Sequence, residues 1–242
     1  MTTILVPIDG SALAAAALPV ARALLRPDDR LLLLRVTPTA EPLTTPLTGT
    51  VVASQDEIGS IWRQAADAEL ETAAAASGVD RSRIDRLVEA GEPAAEIVAV
   101  AARQGDAIIV MSSHGRGALG RAIFGSVADR VAHTATVPVL IVRPDNDALV
   151  AGAVLFRRIV VPLDGSELAE AALPEAEALA KHLGVPINLV RAVDPTTWMP
   201  YAAGAEPAPA ISPEVTTQII DQARQEASQS LAAAAAKLGS GV

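Results

Sequence analysis

The sequence predicts a doubly wound α/β fold, an open parallel sheet of five strands, followed by a partial second copy running β-α-β-α. Short Val/Ile/Leu runs without polar alternation read as strands buried on both faces, the mark of a parallel sheet covered by helices. These runs alternate with Ala-rich stretches of helical length from residue 4 to residue 142. In addition, ILVPIDGSALAAAALPVARAL at 4–24 recurs as IVVPLDGSELAEAALPEAEAL at 159–179, so one building block is used twice.

In order along the chain, strand one ends in Val-Pro-Ile-Asp-Gly-Ser, where Asp9 and Gly10 form a turn and Ser11 caps the following helix. That helix carries Pro19, and the repeat carries Pro174 at the same place. A second strand, LLLLRV at 31–36, leads through a Pro/Thr-rich loop to a helix over about 55–77, whose wet face is carboxylate-rich and whose Ile58, Ile61 and Trp62 are expected to turn inward. A strand over 84–90, a helix over 93–104, the strand AIIVM at 107–111, a helix over about 126–135 and the strand VPVLIV at 137–142 complete five strands. The second copy repeats only the first strand and helix, the strand INLVRAV at 187–193, and a helix within 212–238. Two strands and two helices bury too little by themselves. This half-unit is expected to lean on the first domain, on a second copy of the chain, or on sequence outside this one.

Composition removes several classes of function. With no cysteine among 242 residues, neither disulfides nor thiolate metal sites are available, and three histidines far apart suggest no zinc cluster. A net charge of −9 with 2% aromatic residues lacks both the basic footprint and the stacking platforms of nucleic-acid binders. The longest apolar run, 148–156, is too short to cross a bilayer, and the N-terminus has no basic leader; a cytoplasmic location is expected. The acidic balance does not forbid a small anionic ligand, because backbone N–H groups at a helix start attract phosphate locally.

The chemistry concentrates in MSSHGRGALGRAIFGSVADRV, 111–131. Gly115-x-Gly117-x-x-Gly120 matches a dinucleotide fingerprint, with Asp145 further on as the acidic residue. Its first glycine, however, lies four residues past Met111 rather than at the strand end. A Walker loop fails because Arg121-Ala122 stands where Lys-Ser/Thr is required. In the other reading, Gly115 lets backbone approach an anion while Gly125 opens the last helix and presents Ser126 to a phosphate at the positive end of the dipole. Ser126 with Asp129 also matches a capping box.

Ser112-Ser113-His114-Gly115, nine residues and Gly125-Ser126 resemble the nucleotide loop of the universal stress protein family, whose ATP-binding members show G-2x-G-9x-G-[S/T] after the fourth strand. The opening V-P-x-D-G-S and the closing V-P-V-L-I-V resemble the same family. The resemblance covers 1–144 as a complete domain with the nucleotide loop, leaves 145–157 as a linker, and covers 158–242 as a truncated second domain without that loop, similar to the family's tandem members. It implies the sheet order 3-2-1-4-5 of the adenine nucleotide alpha hydrolase-like fold, with strands 1 and 4 adjacent at the switch point. It also implies ATP as ligand, with Mg²⁺ or Mn²⁺ bridging the phosphates. Pro7, Ile8, Asp9 and Val36 would line the adenosine end; Met111, Ser112, His114, Gly115 and Arg116 would lie on the strand-four side, and Gly125, Ser126 and Val127 on the helix side. Dimerisation through the last strand, Val139 to Val142, is implied as well.

One departure from the motif is Ser112, which replaces the family's first glycine; were positive φ required there, serine would cost about 1 kcal/mol. The expected function is a nucleotide-responsive stress or regulatory binding module with undefined protein partners. It has no assigned catalytic residue and at most slow hydrolysis. Two alternatives stay open: a nucleotide-free dimerising protein, and an NAD(P)-binding enzyme using Gly115, Gly117 and Gly120.

Overall fold

A computed structural model describes residues 1–44, 51–113, 125–143, 156–193 and 213–239. The chain divides into two compact units, Met1–Leu155 and Phe156–Val242.

The first unit is the five-stranded open sheet expected. Its strands are β1 (Thr3–Pro7), β2 (Arg30–Thr37), β5 (Ile84–Ala90), β6 (Ala107–Ser112) and β7 (Val139–Val142), and all neighbouring pairs run parallel. Their order, β5-β2-β1-β6-β7, is 3-2-1-4-5 once the sheet strands are counted in sequence. Two short antiparallel strands, β3 (Leu43–Thr44) and β4 (Val51–Ala53), lie in the stretch read as a loop.

Because strand side chains alternate, the central strands feed two cores. Leu5, Leu32, Leu34, Val36, Ile109 and Met111 face helices α4 (Pro93–Gln104) and α5 (Ser126–Thr134). The alternate residues Ile4, Val6, Leu31 and Leu33 are also buried, on the side where α2 (Leu18–Leu24) packs on β1 and α3 (Gln55–Ala76) packs on β2 and β5.

Three local expectations are corrected. The proline-bearing helix is two pieces, α1 (Ala12–Ala15) and α2, with Pro19 in the first turn of the second; proline has no N–H to continue the first helix but suits a helix start. On α3 the buried residues are Ala66, Leu70, Ala73 and Ala74, whereas Ile61 is 62% exposed and Ile58 and Trp62 are only half-buried. A 22-residue helix is about 33 Å long, and an eight-residue strand such as β2 about 27 Å, so α3 is longer than the strands it packs on, and its buried residues lie in its second half. The last strand starts at Val139, after Pro138, rather than at Val137.

The second unit holds β8 (Ile159–Pro162) and β9 (Ile187–Val190), paired parallel. It also holds α6 (Glu167–Glu170), α7 (Leu173–Leu183) and α8 (Pro213–Ala235). Pro174 divides α6 from α7 as Pro19 divides α1 from α2. Its core gathers Val161, Leu163, Leu173, Ala176 and Ala234, flanked by Ile159, Ile187, Leu189 and Leu231. These strand residues all belong to one face of the two-stranded sheet.

Candidate functional site at the strand tips

The β1–β6 register pairs Thr3 with Ala107, Ile4 with Ile108 and Leu5 with Ile109. Continued one residue at a time, it sets Pro7 beside Met111 and Ile8 beside Ser112. On the other flank Pro7 pairs with Leu34, so Val36 stands level with Asp9. Pro7, Ile8, Asp9, Val36, Met111 and Ser112 therefore share the carboxyl edge of the sheet where strand order reverses, the usual ligand position in open α/β sheets. Ile8, Val36, Met111 and Ser112 are buried, and Pro7 and Asp9 half-buried.

The turn after β1 is built by its own side chains. Asp9 Oδ1 accepts from the Ser11 N–H at 2.9 Å and the Ser11 hydroxyl at 2.5 Å, while Ser11 Oγ accepts from the Ala14 N–H at 3.1 Å. Gly10 takes φ 75°, a region in which a side chain is strained. Asp164, Gly165 and Ser166 repeat this arrangement, with Ser166 N–H to Asp164 Oδ1 at 2.8 Å and Ala169 N–H to Ser166 Oγ at 3.1 Å. Asp9 thus has the turn-building role, shared by a copy without the loop.

Ser112 ends β6 in register with Val142, and no non-glycine residue among those described has positive φ. The expected cost of serine at the first motif position is therefore not incurred. Ser113, completely buried, donates its N–H to the Val142 carbonyl at 2.8 Å, and its own carbonyl accepts from the Gly125 N–H at 2.6 Å. The two ends of the motif segment are thereby held together at the sheet edge. His114, Gly115 and Arg116, with Gly117 and Gly120 of the alternative fingerprint, lie outside the described residues.

Gly125, half-buried with φ −69° and ψ 153°, is the N-cap of α5. Ser126 is consequently the first helical residue, so the capping-box reading of Ser126 and Asp129 is corrected: α5 has no side-chain cap hydrogen bond. By contrast α1 is capped by Ser11, α3 by Ser54 and α4 by the Glu92 carboxylate. The N–H groups of Ser126, Val127 and Ala128 open the helix without an intrahelical acceptor. Ser126 is exposed and Val127 half-buried. Asp129 leans one turn onward, its Oδ1 3.7 Å from His133 Nδ1.

The Glu92 carboxyl is held below the ordinary range, first by the Ala95 N–H and then by the Ala94 N–H and the charge of Arg130. Arg130 Nη1 lies 3.4 Å from Glu92 Oε2, tying the middle of α5 to the start of α4. Neither this contact nor the Arg35–Glu69 ion pair at 2.7 Å is legible in the sequence, because both join elements distant in the chain.

Fold and strand-tip geometry together define an α/β domain with a candidate site at the switch point, followed by a partial second copy. The universal stress protein family model matches residues 1–143 and 155–240; the chain belongs to that family, in a tandem arrangement. Universal stress protein YxiE of Bacillus subtilis is 35% identical over 143 residues, covering 57% of this chain and 97% of that protein. A universal stress protein of Mycolicibacterium smegmatis is 40% identical over 62 residues, 26% of this chain and 20% of its own length. The crystal structure of a universal stress protein from Archaeoglobus fulgidus superposes with a TM-score of 0.56 at 22% identity, over 80% of this chain and 68% of that one; this likeness concerns the fold.

Proposed function

We propose that the first unit binds ATP and acts as a nucleotide-responsive stress or regulatory module, the family's ATP-binding motif pattern being present in order except for Ser112 at its first glycine. The observation that carries the reading is the start of α5: no side chain among the described residues accepts from its first three amides, while Gly125 is pinned to Ser113 at the sheet edge. Such an opening suits a phosphate, which supplies acceptors to orphan N–H groups and negative charge to the positive end of the dipole. Gly125, Ser126 and Val127 would hold the phosphates together with His114, Gly115 and Arg116. Pro7, Ile8, Asp9, Val36, Met111 and Ser112 would receive the nucleoside. Mg²⁺ or Mn²⁺ would bridge the phosphate oxygens and offset their charge. No catalytic residue is assigned, and any hydrolysis would be slow.

Residues 1–144 form the nucleotide domain in this reading, 145–157 the linker and 158–242 the truncated partner domain. The protein would work in the cytoplasm as a homodimer joined along β7, the terminal strand of the sheet; no described helix is long and apolar enough to cross a membrane. Titration calorimetry with MgATP and with NADH, repeated on Gly125→Val, tests the function. Heat with MgATP that disappears in the variant, whose isopropyl group crowds the phosphate approach, is the expected result. Heat with NADH alone would support the dinucleotide reading, and no heat with either would leave a nucleotide-free protein.

A further inference from the structure

The two units share a strand but not its neighbours. In the first unit Thr3 N–H donates to the Asp106 carbonyl at 2.9 Å, and β1 continues beside β6 with Leu5 level with Ile109. Thr3 and Leu5 thus turn their backbone groups toward β6, whereas Ile8, of the other parity, donates its N–H to the Leu34 carbonyl after β2 pairs with β1, at 2.8 Å.

In the repeat, Arg158 and Val160 stand where the first unit has Thr3 and Leu5. Ile159 N–H donates to the Pro186 carbonyl at 2.9 Å and Leu163 N–H to the Val190 carbonyl at 2.8 Å, so the odd-numbered residues of β8 serve β9. The backbone groups of Arg158, Val160 and Pro162 face the other way. Among the described residues no strand lies there, because β8 and β9 form a sheet of two. Val160, at the centre of this edge, is 52% exposed and carries no charge of the kind that keeps an edge strand single.

The order of charges selects what fits the edge. Arg157 and Arg158 precede β8 and Asp164 follows it, all three exposed. A second β8 laid antiparallel brings the basic end of each strand to the acidic end of the other. With the two-fold axis at Val160, the Val160 residues of the two copies exchange N–H···O bonds and place their side chains together on one face. Arg158 N–H then meets the Pro162 carbonyl of the other copy, and the Asp164 of that copy lies diagonally across from Arg158, within reach of a long side chain. Pro162 has no N–H to return, so the ladder stays short.

We infer that the second unit binds a second copy of itself along the free edge of β8, antiparallel about a two-fold axis at Val160, to make one continuous sheet in the order β9-β8-β8-β9. The contact is isologous, the same patch serving on both copies. It is independent of the nucleotide reading and separate from pairing along β7. The faces bearing Val160 and Val190 come side by side, opposite the faces that α7 and α8 cover.

The test uses the full chain. Val160→Lys changes an exposed residue and sets two like charges opposite each other at the axis, so sedimentation equilibrium should show self-association about tenfold or more weaker than in the parent. Pairing along β7 would contribute equally to parent and variant. Because the chain has no cysteine, Val160→Cys and Leu168→Cys each introduce a single thiol. Leu168 is the more exposed of the two, at 86%, but it lies beyond the end of β8 and far from its own copy in this arrangement. Under mild oxidation Val160→Cys should join two chains about tenfold or more faster, through the raised effective concentration at the axis. Self-association equal in the parent and the folded Val160→Lys variant would overturn the inference, as would cross-linking of Leu168→Cys as fast as that of Val160→Cys. Should Val160→Lys fail to fold, the cysteine pair decides.

Discussion

Leu5 and Val160 hold the same place in the repeated segment, yet Leu5 is 0% and Val160 52% exposed. The reason is architectural. In the first unit the face of β1 and β2 carrying Leu5, Leu32 and Leu34 lies under α4 and α5. In the second unit the corresponding face carries Val160, Asn188 and Val190, and the chain supplies no described counterpart of α4, α5, β6 or β7. Asn188 stands where the first unit buries Leu32, whereas Val160 and Val190 remain apolar and exposed. The opposite face is packed in both copies, by α2 and α3 in one and by α7 and α8 in the other. One segment thus builds the same β-turn-helix unit twice, and what lies over its second face decides whether a strand position is core or surface.

The largest effect that can break this comparison is a paired truncation. Leu5→Ala should destabilise the first unit by about 3 kcal/mol, as large-to-small changes in a closed core do. Val160→Ala should cost the second unit less than about 1 kcal/mol, as an exposed change does. Hydrogen exchange read separately on peptides of each unit measures both; equal losses would mean that the open face of β8 is covered in solution.

An intermediate effect comes from the turns. Gly10 and Gly165 sit at φ 75° and 90°, so Gly10→Ala and Gly165→Ala should each cost about 1 kcal/mol or more. At Gly165 the added Cβ also meets Arg191, but at the far end of a flexible side chain that can swing aside. Similar shifts of the two units in thermal unfolding are therefore expected. A much larger penalty at Gly165 would show that Arg191 is fixed in place.

The smallest effect is the acid response. Glu57, Glu71, Asp80, Asp85 and Glu92 in the first unit have lowered carboxyl pKa values, caused foremost by hydrogen bonds from Ser54, Arg81, Ser82, Arg30 and Ala95 respectively. In the second unit Asp164 and Glu177 are lowered, foremost by Ser166 and Lys181. A carboxyl with a lower pKa in the folded state stabilises the fold above its ordinary value of about 4, and that contribution is lost as pH falls through the lowered value. Hydrogen exchange between neutral pH and the acid range should show the first unit loosening more steeply, although exposure and salt screening keep each contribution small.

Much of the fold was legible because burial on both faces leaves a one-letter trace. LLLLRV and AIIVM read as strands covered on two sides, and Asp-Gly-Ser favours a turn and a cap from neighbours two or three residues apart. The same locality explains the errors. Ile61 and Trp62 fit an inward stripe, but sequence periodicity does not report where the sheet beneath a helix ends. Ser126 fits a capping pattern, but Gly125 is the cap, with extended backbone and its carbonyl accepting from the Asp129 N–H. At the candidate site, the motif spacing and the family resemblance pointed to the strand-tip residues and the helix start. They did not reveal the bond that holds the ends of the motif segment together, nor the partner of Arg35.

The sequence by itself determined the alternating strands and helices, the twice-used segment and the turns at Asp9 and Asp164, because each depends on interactions within a few residues or on a repeating pattern of side-chain size. Only the tertiary structure decided which strand face is core, where Arg35 and Arg191 point, and how β6 and α5 meet. Those outcomes depend on groups brought together from distant parts of the chain, where packing and charge act through space and leave no mark in local order.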